Sequence, residues 1–188
     1  IYYYSLASSQ NNALANFSLG EIYYEGKLVS RDTNKFLHYL TLASNQNHPA
    51  AQYFLGTIYF NGQYVERDIE KAIHYLSLAA NQNYSEAQFC LGSIYQYIDI
   101  NKAIHYLSLA AKQDHSFALT SLGILEKNID KSIQYFTRAA NLNNPFAQFL
   151  LGEIYGTKNS AFFDTSKSIY YLTLSANQND DRAQLRLG

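Results

Sequence analysis

Residues 51–59 read Ala-Gln-Tyr-Phe-Leu-Gly-Thr-Ile-Tyr, and the Leu-Gly pair inside this segment recurs along the whole 188-residue chain. An alanine stands four residues before the leucine in every copy. The glycines of the successive copies are Gly20, Gly56, Gly92, Gly123, Gly152 and Gly188. Self-similarity at a spacing of roughly 20–50 residues is typical of a solenoid, in which no repeat buries its hydrophobic face alone. The chain is therefore predicted to be a repeat array.

Each repeat is predicted to contain two helices, which we call A and B. In the second repeat the apolar residues at 51, 54, 55, 58 and 59 follow helical spacing, which predicts helix A over about residues 49–61. Residues of N-capping type then precede each helix B, which is predicted to begin near residues 33, 69, 100, 129 and 165. The predicted caps are Asp32, Asp68, Asp99, Asn128 and Asp164.

The ends of the helices also carry recurring residue types. Helix B is predicted to end in Asn-containing segments such as residues 81–83, because asparagine tolerates the left-handed conformation that closes many helices. Pro49 and Pro145 fall at the start of the next helix A, where a missing amide does little harm. A glycine inside helix A costs about 1 kcal/mol relative to alanine. Its recurrence predicts that another helix backbone passes too close for a Cβ.

The alignment predicts one solenoid and no separate domains, and the lack of methionine suggests a fragment of a longer protein. The predicted segments are a half repeat with helix B only (1–13), five repeats (14–49, 50–85, 86–116, 117–145, 146–181) and a half repeat with helix A only (182–188). Repeats 86–116 and 117–145 lack the loop that reads Gly-Gln-Tyr-Val-Glu-Arg at 62–67. We hypothesise that these short loops expose a surface that the longer loops cover elsewhere.

Composition excludes several classes of function. A net charge of −1 argues against a dedicated nucleic-acid binder, which usually carries a basic stripe. No apolar run approaches the roughly 18–20 residues that span a bilayer, so no direct membrane insertion is expected. Cys90 is the single cysteine, which permits no intramolecular disulfide and no Cys-based zinc site and leaves the compartment open. Beside Leu91 it is interpreted as a buried, unreactive thiol.

No recognisable catalytic motif is present, so no enzyme activity, catalytic residue or cofactor is predicted. His38, His74 and His105 occupy one position of successive B helices, which is compatible with a ladder of zinc ligands or with an exposed outer face. The series is broken by Gln134 and Tyr170 in the next two repeats, and no carboxylate recurs beside it. The exposed interpretation is preferred, and no metal site is predicted.

Residues 51–80 carry the pattern Ala-x3-Leu-Gly-x2-Tyr-x2-Gly-x2-Val-x2-Asp-x2-Lys-Ala-x2-Tyr-Leu-x2-Ala-Ala. This pattern resembles the Sel-one-like repeat, a relative of the tetratricopeptide repeat, and the resemblance covers essentially the whole chain. It implies an all-α fold, a right-handed α/α superhelical solenoid of antiparallel helix pairs. It also implies that the A helices line a concave groove that binds another protein or a peptide, and that the chain acts as a scaffold or adaptor. A non-catalytic regulatory or targeting segment of a larger enzyme, such as a protein kinase, is the alternative.

By analogy with tetratricopeptide grooves, three positions of helix A are expected to face the groove. They are the residue two positions before the leucine, the residue directly after the glycine, and a residue one turn later. Aromatic side chains there would anchor a peptide because they bury a large area at low entropic cost. Packing between adjacent repeats explains the aromatic residues equally well. The candidate partner-binding residues are Phe17, Glu21, Tyr24, Tyr53, Thr57, Phe60, Phe89, Ser93, Gln96, Phe149 and Glu153.

Overall fold

A computed structural model describes residues 1–188, which form twelve α-helices and no β-strand. The helices alternate between the predicted B and A types, from a B helix at the first residues to an A helix at the last. Their bounds are α1 (Tyr2–Ser9), α2 (Ala13–Glu25), α3 (Thr33–Asn45), α4 (Pro49–Asn61), α5 (Ile69–Asn81), α6 (Ser85–Tyr95), α7 (Ile100–Lys112), α8 (Ser116–Leu125), α9 (Ile129–Asn141), α10 (Pro145–Gly156), α11 (Thr165–Ala176) and α12 (Asp181–Leu187).

The predicted capping residues begin every complete B helix. The Asp68 carboxylate accepts a hydrogen bond of 2.9 Å from the backbone N–H of Lys71, which is one of the amides left without a partner in the first turn. The other four predicted caps accept equivalent bonds. Each cap stabilises its helix by about 1 kcal/mol. The predicted starts of the B helices and the predicted span of helix A in the second repeat are confirmed.

The turn from each helix B to the next helix A uses a left-handed residue, as predicted. Asn47, Asn83, Asn143 and Asn179 have φ angles between 59° and 64°. Pro49 and Pro145 are the first residues of α4 and α10. These turns are therefore closed by residue types that adopt the required conformation at little cost.

The chain divides into two compact units, residues 1–91 and residues 92–188. In the first unit each of α1 to α4 packs against the next helix, and in the second unit each of α7 to α11 does the same. Leucines from the Leu-Gly pairs and from the B helices are buried in both units, and burying one leucine contributes about 1.5–3 kcal/mol. These leucines include Leu19, Leu40, Leu55, Leu76 and Leu91 in the first unit and Leu107, Leu122, Leu151 and Leu172 in the second.

The recurring glycine of helix A is required sterically at some positions and not at others. A Cβ added at Gly56 would lie 2.6 Å from the Leu76 Cγ and 3.2 Å from the Leu76 backbone nitrogen. The Leu76 side chain therefore occupies the space beside Gly56 as closely as the backbone of α5 does. At Gly20 the same Cβ would meet its nearest atoms at 3.6 Å, an ordinary contact, so the prediction that every such glycine is sterically required is wrong there. The wider gap accompanies Phe36, which stands where α5 has an alanine.

Buried amides link the B helix of one repeat to the A helix of the next, a feature that we did not predict. Gln52 is 1% exposed, and its Nε2 donates to the Ser44 carbonyl while its Oε1 accepts from Gln82 Nε2 at 2.8 Å. Gln148 makes the same two kinds of bond in the second unit. The fourth repeat has Leu119 at this position, also fully buried. The amides are fully paired where they occur, so they cost little to bury and fix the register of the helices.

The loop between helix A and helix B is closed by the same backbone bond in four of the five complete repeats; in the fourth repeat the Asn128 N–H donates to the Glu126 carboxylate instead. The backbone N–H of Asp68 donates to the Tyr59 carbonyl at 3.0 Å across residues 60–67, and that of Asp99 donates to the Tyr95 carbonyl at 2.8 Å across residues 96–98. The Tyr59 ring also stacks on Tyr75 of α5, with ring centres 5.7 Å apart. The helix pair is therefore held at the base of the loop, independently of what the loop contains.

The hypothesis about the short loops stays a prediction, since Ile73 also precedes a short-loop repeat and is only partly exposed. Ile104, which precedes a short-loop repeat, is 42% exposed and borders a shallow depression lined by Leu122, Leu125 and Tyr135. Ile133 occupies the same position of the following B helix and is only partly exposed, close to the long loop of residues 157–164.

Candidate functional site

A cavity with a volume of about 280 Å³ opens in the first unit, between the A helices of the first two repeats. Helix α2 contributes three of the predicted groove residues, Phe17, Glu21 and Tyr24, and helix α4 contributes a fourth, Thr57. The remaining wall comes from α4, from α3 and from the loop that follows α4. The further lining residues are Glu25, Phe36, Leu40, Phe54, Ile58, Gln63 and Tyr64.

The walls of this cavity are mainly aromatic. The rings of Phe17 and Phe54 lie 5.9 Å apart, and Tyr24 lies 5.0 Å from Phe36. Tyr64 meets Phe36 edge-on at 6.0 Å, which extends the aromatic wall into the loop. Phe54 and Tyr24 are 39% and 44% exposed, so part of each ring is open to a ligand. Amphipathic rings held on helices provide a large contact area at low entropic cost.

Two carboxylates give the cavity a negative charge. Glu21 and Glu25 both line it, one helical turn apart on α2. Partial burial raises the pKa of Glu21, and the negative charge of Glu25 raises it further. Glu25 has an ion-pair partner in Lys27, at 3.2 Å, whereas Glu21 forms no ion pair. A group that binds here and carries a positive charge would therefore relieve the repulsion between the two carboxylates.

The rim of the cavity is formed by a residue in an unusual backbone conformation. Tyr64 has a φ of 69°, a value that bulky residues rarely adopt, and such strain persists only where surrounding contacts impose it. The Arg31 guanidinium provides one of these contacts, because it donates to the Tyr64 hydroxyl and lies 5.9 Å from the centre of the ring. Arg31 also lies 5.0 Å above the Tyr24 ring and is not among the lining residues.

The other predicted groove residues lie outside this cavity. The Arg67 guanidinium covers Phe60, and in the second unit the Arg182 guanidinium covers Phe149 with its carbon 4.8 Å from the ring centre. Glu153 is paired with Arg186 at 2.6 Å. Phe89 and Ser93 are partly buried along α6, and Gln96 is partly buried directly after it. Neighbouring side chains also pack against the cavity residue Phe17, whose ring is stacked on His48 at 4.6 Å.

Tyr53 has a different environment, which it shares with the cysteine. Its ring lies 5.3 Å from that of Tyr84, and its hydroxyl donates a hydrogen bond to the Cys90 sulfur. Burial raises the pKa of Tyr53 to about 12, and burial with the nearby charge of Glu86 raises the pKa of the Cys90 thiol to about 11. Since the thiolate is the reactive form, the structure is consistent with an unreactive Cys90.

We predict that iodoacetamide labels Cys90 slowly while the chain is folded. At pH 8 a thiol with a pKa of about 11 has roughly 1/200 of the thiolate of an ordinary cysteine, whose pKa is about 8.5. The labelling rate, followed by mass spectrometry, should therefore be lower by about 100-fold or more than the rate in denaturant. A native rate within about tenfold of the denatured rate would contradict this account.

The cavity residues that we did not predict are of two kinds: Glu25, Phe54 and Ile58 lie in the A helices beside the predicted positions, and the others lie outside the A helices. Gln63 and Tyr64 belong to the loop, and Phe36 belongs to helix B. One signal was present in the sequence: Phe36 replaces a small residue, since the other complete B helices have alanine or serine at this position. A bulky substitution of this kind marks a repeat whose packing differs from that of its neighbours.

The histidine series is exposed, as the preferred interpretation predicted. His38, His74 and His105 are all exposed on their B helices, and each ring meets the following tyrosine edge-on at 5.2–5.3 Å. No group of three or more His, Cys, Asp or Glu side chains in the described chain is arranged to hold a metal ion. None of the twelve helices combines the length and apolarity needed to cross a membrane.

The fold is that of an α-solenoid built from A–B helix pairs, and comparison with known proteins identifies the class of repeat. The Sel1 repeat family matches the chain at residues 1–12, 13–48, 49–84, 85–115, 118–144 and 145–180. The chain therefore belongs to the Sel1 repeat family. Sel1 repeats generally mediate protein–protein interactions, and proteins of this class are generally non-catalytic. A comparison with curated protein sequences gives no significant match.

Solved structures support the same fold. A protective antigen with an SLR fold, from uropathogenic Escherichia coli strains, superposes with a TM-score of 0.87 at 24% identity, over 99% of this chain and 43% of that protein. This chain thus spans less than half of that relative. A Sel1 repeat protein from Oxalobacter formigenes gives a TM-score of 0.85 at 26% identity, over 94% of this chain and 77% of that one. An immunity protein from Pseudomonas aeruginosa gives 0.60 at 21% identity, over 96% and 74%.

Proposed function

We propose that the chain is a protein-interaction module that binds a peptide or an extended protein segment in the cavity between α2 and α4. The observation that carries the proposal is the partly open aromatic wall of this cavity, formed by Tyr24 and Phe54 on the A helices and by Tyr64 in the loop after α4. Exposed aromatic side chains on a concave surface are typical anchors in peptide recognition. The general interaction role of Sel1 repeats supports the same function.

The packing of the remaining candidates supports limiting the site to this cavity. Arg182 and Arg186 of the next A helix, α12, contact Phe149 and Glu153 respectively. Arg67 covers Phe60. A partner would have to displace these arginines before it could contact the side chains beneath them. At the cavity, by contrast, the Phe54 ring is 39% exposed and no arginine of the chain covers it, whereas Arg31 lies 5.0 Å from the centre of the Tyr24 ring. The proposal therefore places partner binding in the first unit, with the other candidates acting in repeat packing.

The proposal is tested by selecting peptides from a random display library on the purified chain and measuring the affinity of those enriched. Tyr24→Ala and Phe54→Ala should each weaken the selected peptides by about tenfold or more, since truncating an aromatic anchor costs more than about 1 kcal/mol. His74→Ala and His105→Ala change exposed residues of the B helices and serve as controls, with an expected effect below about twofold. Equal losses in all four variants, or none in any, would contradict the proposed site.

A further inference from the structure

In the second unit, Glu153 occupies the repeat position that Glu21 occupies in the first unit, and its positively charged partner belongs to the same chain. Glu153 directly follows the glycine of a Leu-Gly pair, as Glu21 does. Its carboxylate binds the Arg186 guanidinium at 2.6 Å, and this arginine comes from the next A helix, α12. The same side-chain position in the repeat frame therefore forms a carboxylate–guanidinium pair across two adjacent A helices.

In the first unit the corresponding cation is absent. The position equivalent to Arg186, three residues after the alanine of helix A, is occupied in α4 by Phe54. Glu21 consequently faces an aromatic ring where Glu153 faces a guanidinium, and it forms no ion pair. The aromatic ring supplies a surface on which a guanidinium stacks, but it leaves the carboxylate without a positive partner.

The rest of the cavity has the chemistry that a guanidinium requires. Phe54 offers a ring face that no arginine of the chain covers, whereas Arg31 already lies 5.0 Å from the centre of the Tyr24 ring. A planar guanidinium stacks on aromatic faces while its N–H groups bind carboxylates. Elsewhere in the chain arginines adopt this arrangement: Arg182 lies 4.4 Å above the Phe146 ring and binds Asp180 at 2.6 Å. The volume of about 280 Å³ is sufficient to admit one arginine side chain.

We infer that the cavity binds an arginine side chain of the partner, with Glu21 taking the guanidinium and the Phe54 ring stacking against it. This inference rests on the proposed function, since it names the residue type by which a bound peptide is recognised. The arginine of the partner pairs with Glu21 as Arg186 pairs with Glu153 in the second unit. Glu25 adds to the negative charge of the site, although Lys27 neutralises part of it.

The experiment uses three blocked pentapeptides with two glycines on each side of a central arginine, citrulline or lysine. Citrulline has nearly the shape of arginine without the charge. Binding to the whole chain is measured by NMR titration of the cavity residues. We expect the arginine peptide to bind about tenfold or more tightly than the citrulline peptide, a difference of about 1.4 kcal/mol. Glu21→Gln should remove most of this preference.

Glu153→Gln is the matched control, because it changes the same repeat position where the carboxylate is already paired. It should change the affinity for the arginine peptide by less than about twofold, whereas Glu21→Gln should weaken it by about fivefold or more. Because Glu21 is exposed, its replacement should leave the fold unchanged, and circular dichroism checks this. Equal binding of arginine and citrulline, or no loss in Glu21→Gln, would overturn the inference.

Two further outcomes separate this inference from the proposed function. If the lysine peptide binds at least as tightly as the arginine peptide, the assignment of a guanidinium ligand is overturned. If library-selected peptides depend on Tyr24 and Phe54 but not on an arginine of their own, the inference fails while the proposed function is supported. If the arginine peptide binds as expected but no selected peptide depends on the cavity, the cavity has affinity for an arginine side chain, but the proposed function fails and with it the assignment of that arginine to a partner.

Discussion

Gly56→Ala is expected to destabilise the fold by about 1–3 kcal/mol, although alanine is normally the better helix residue. The added Cβ would lie 2.6 Å from the Leu76 Cγ and 2.9 Å from Cδ2, distances that force α4 or Leu76 to move. Leu76 is 1% exposed, so it has no free space into which it can shift. This overpacking outweighs the gain in helix propensity.

Gly20→Ala is the matched control and should have the opposite sign. Gly20 also lies inside an A helix, but a Cβ there would meet its nearest atoms at 3.6 Å. Relief of the glycine penalty should stabilise the chain by about 0.5–1 kcal/mol. Urea denaturation followed by circular dichroism measures both variants under the same conditions. A shift of both unfolding midpoints in the same direction would show that the contact with Leu76 does not decide the effect.

Leu76→Ala has the larger expected effect, a loss of about 2–5 kcal/mol, because it removes a fully buried side chain and leaves a cavity in the first unit. Leu28→Ala is the control, since Leu28 is 73% exposed and its truncation should change stability by less than about 0.5 kcal/mol. Urea denaturation again gives both values. Comparable losses in the two variants would contradict the assignment of Leu76 to the core.

The double variant Gly56→Ala/Leu76→Ala links the two predictions. Removing the Leu76 Cγ also removes the atom that the new Cβ would meet at 2.6 Å, so the combined loss should be smaller than the sum of the single losses. Additive losses would mean that the two substitutions act through separate regions of the structure. Comparison of the double variant with the two single variants therefore tests the contact between residues 56 and 76 itself, and not only the burial of these two residues.

The local structure of this chain was predictable because short-range rules determine it. A capping side chain, a left-handed asparagine and a proline at the first helical position each act within a few residues, and their repetition in register reinforced each assignment. In the second repeat, Asp68 and Asn83 mark the two ends of helix B, both in the sequence and in the structure. Repetition also predicted the buried leucines.

The cavity was only partly predictable, since its walls come from contacts between repeats. Four of the predicted residues, Phe17, Glu21, Tyr24 and Thr57, line the cavity. The repeat pattern contains no information about Tyr64, whose position depends on the loop conformation and on Arg31. The difference between Glu21 and Glu153 depends on the residue that the next A helix presents. Contacts of this kind become visible only when adjacent repeats are packed together.

Closure of the loop at its base has a consequence for how this array can change its binding preference. The bond between the Asp68 amide and the Tyr59 carbonyl holds α4 and α5 together whatever lies between them, and Asp99 and Tyr95 do the same across residues 96–98 alone. Gln63 and Tyr64 line the cavity from inside this interval. In the proposed function, substitution or lengthening of loop residues 62–67 would therefore redirect recognition while α4 and α5 keep their register, so that partner choice would be separable from folding.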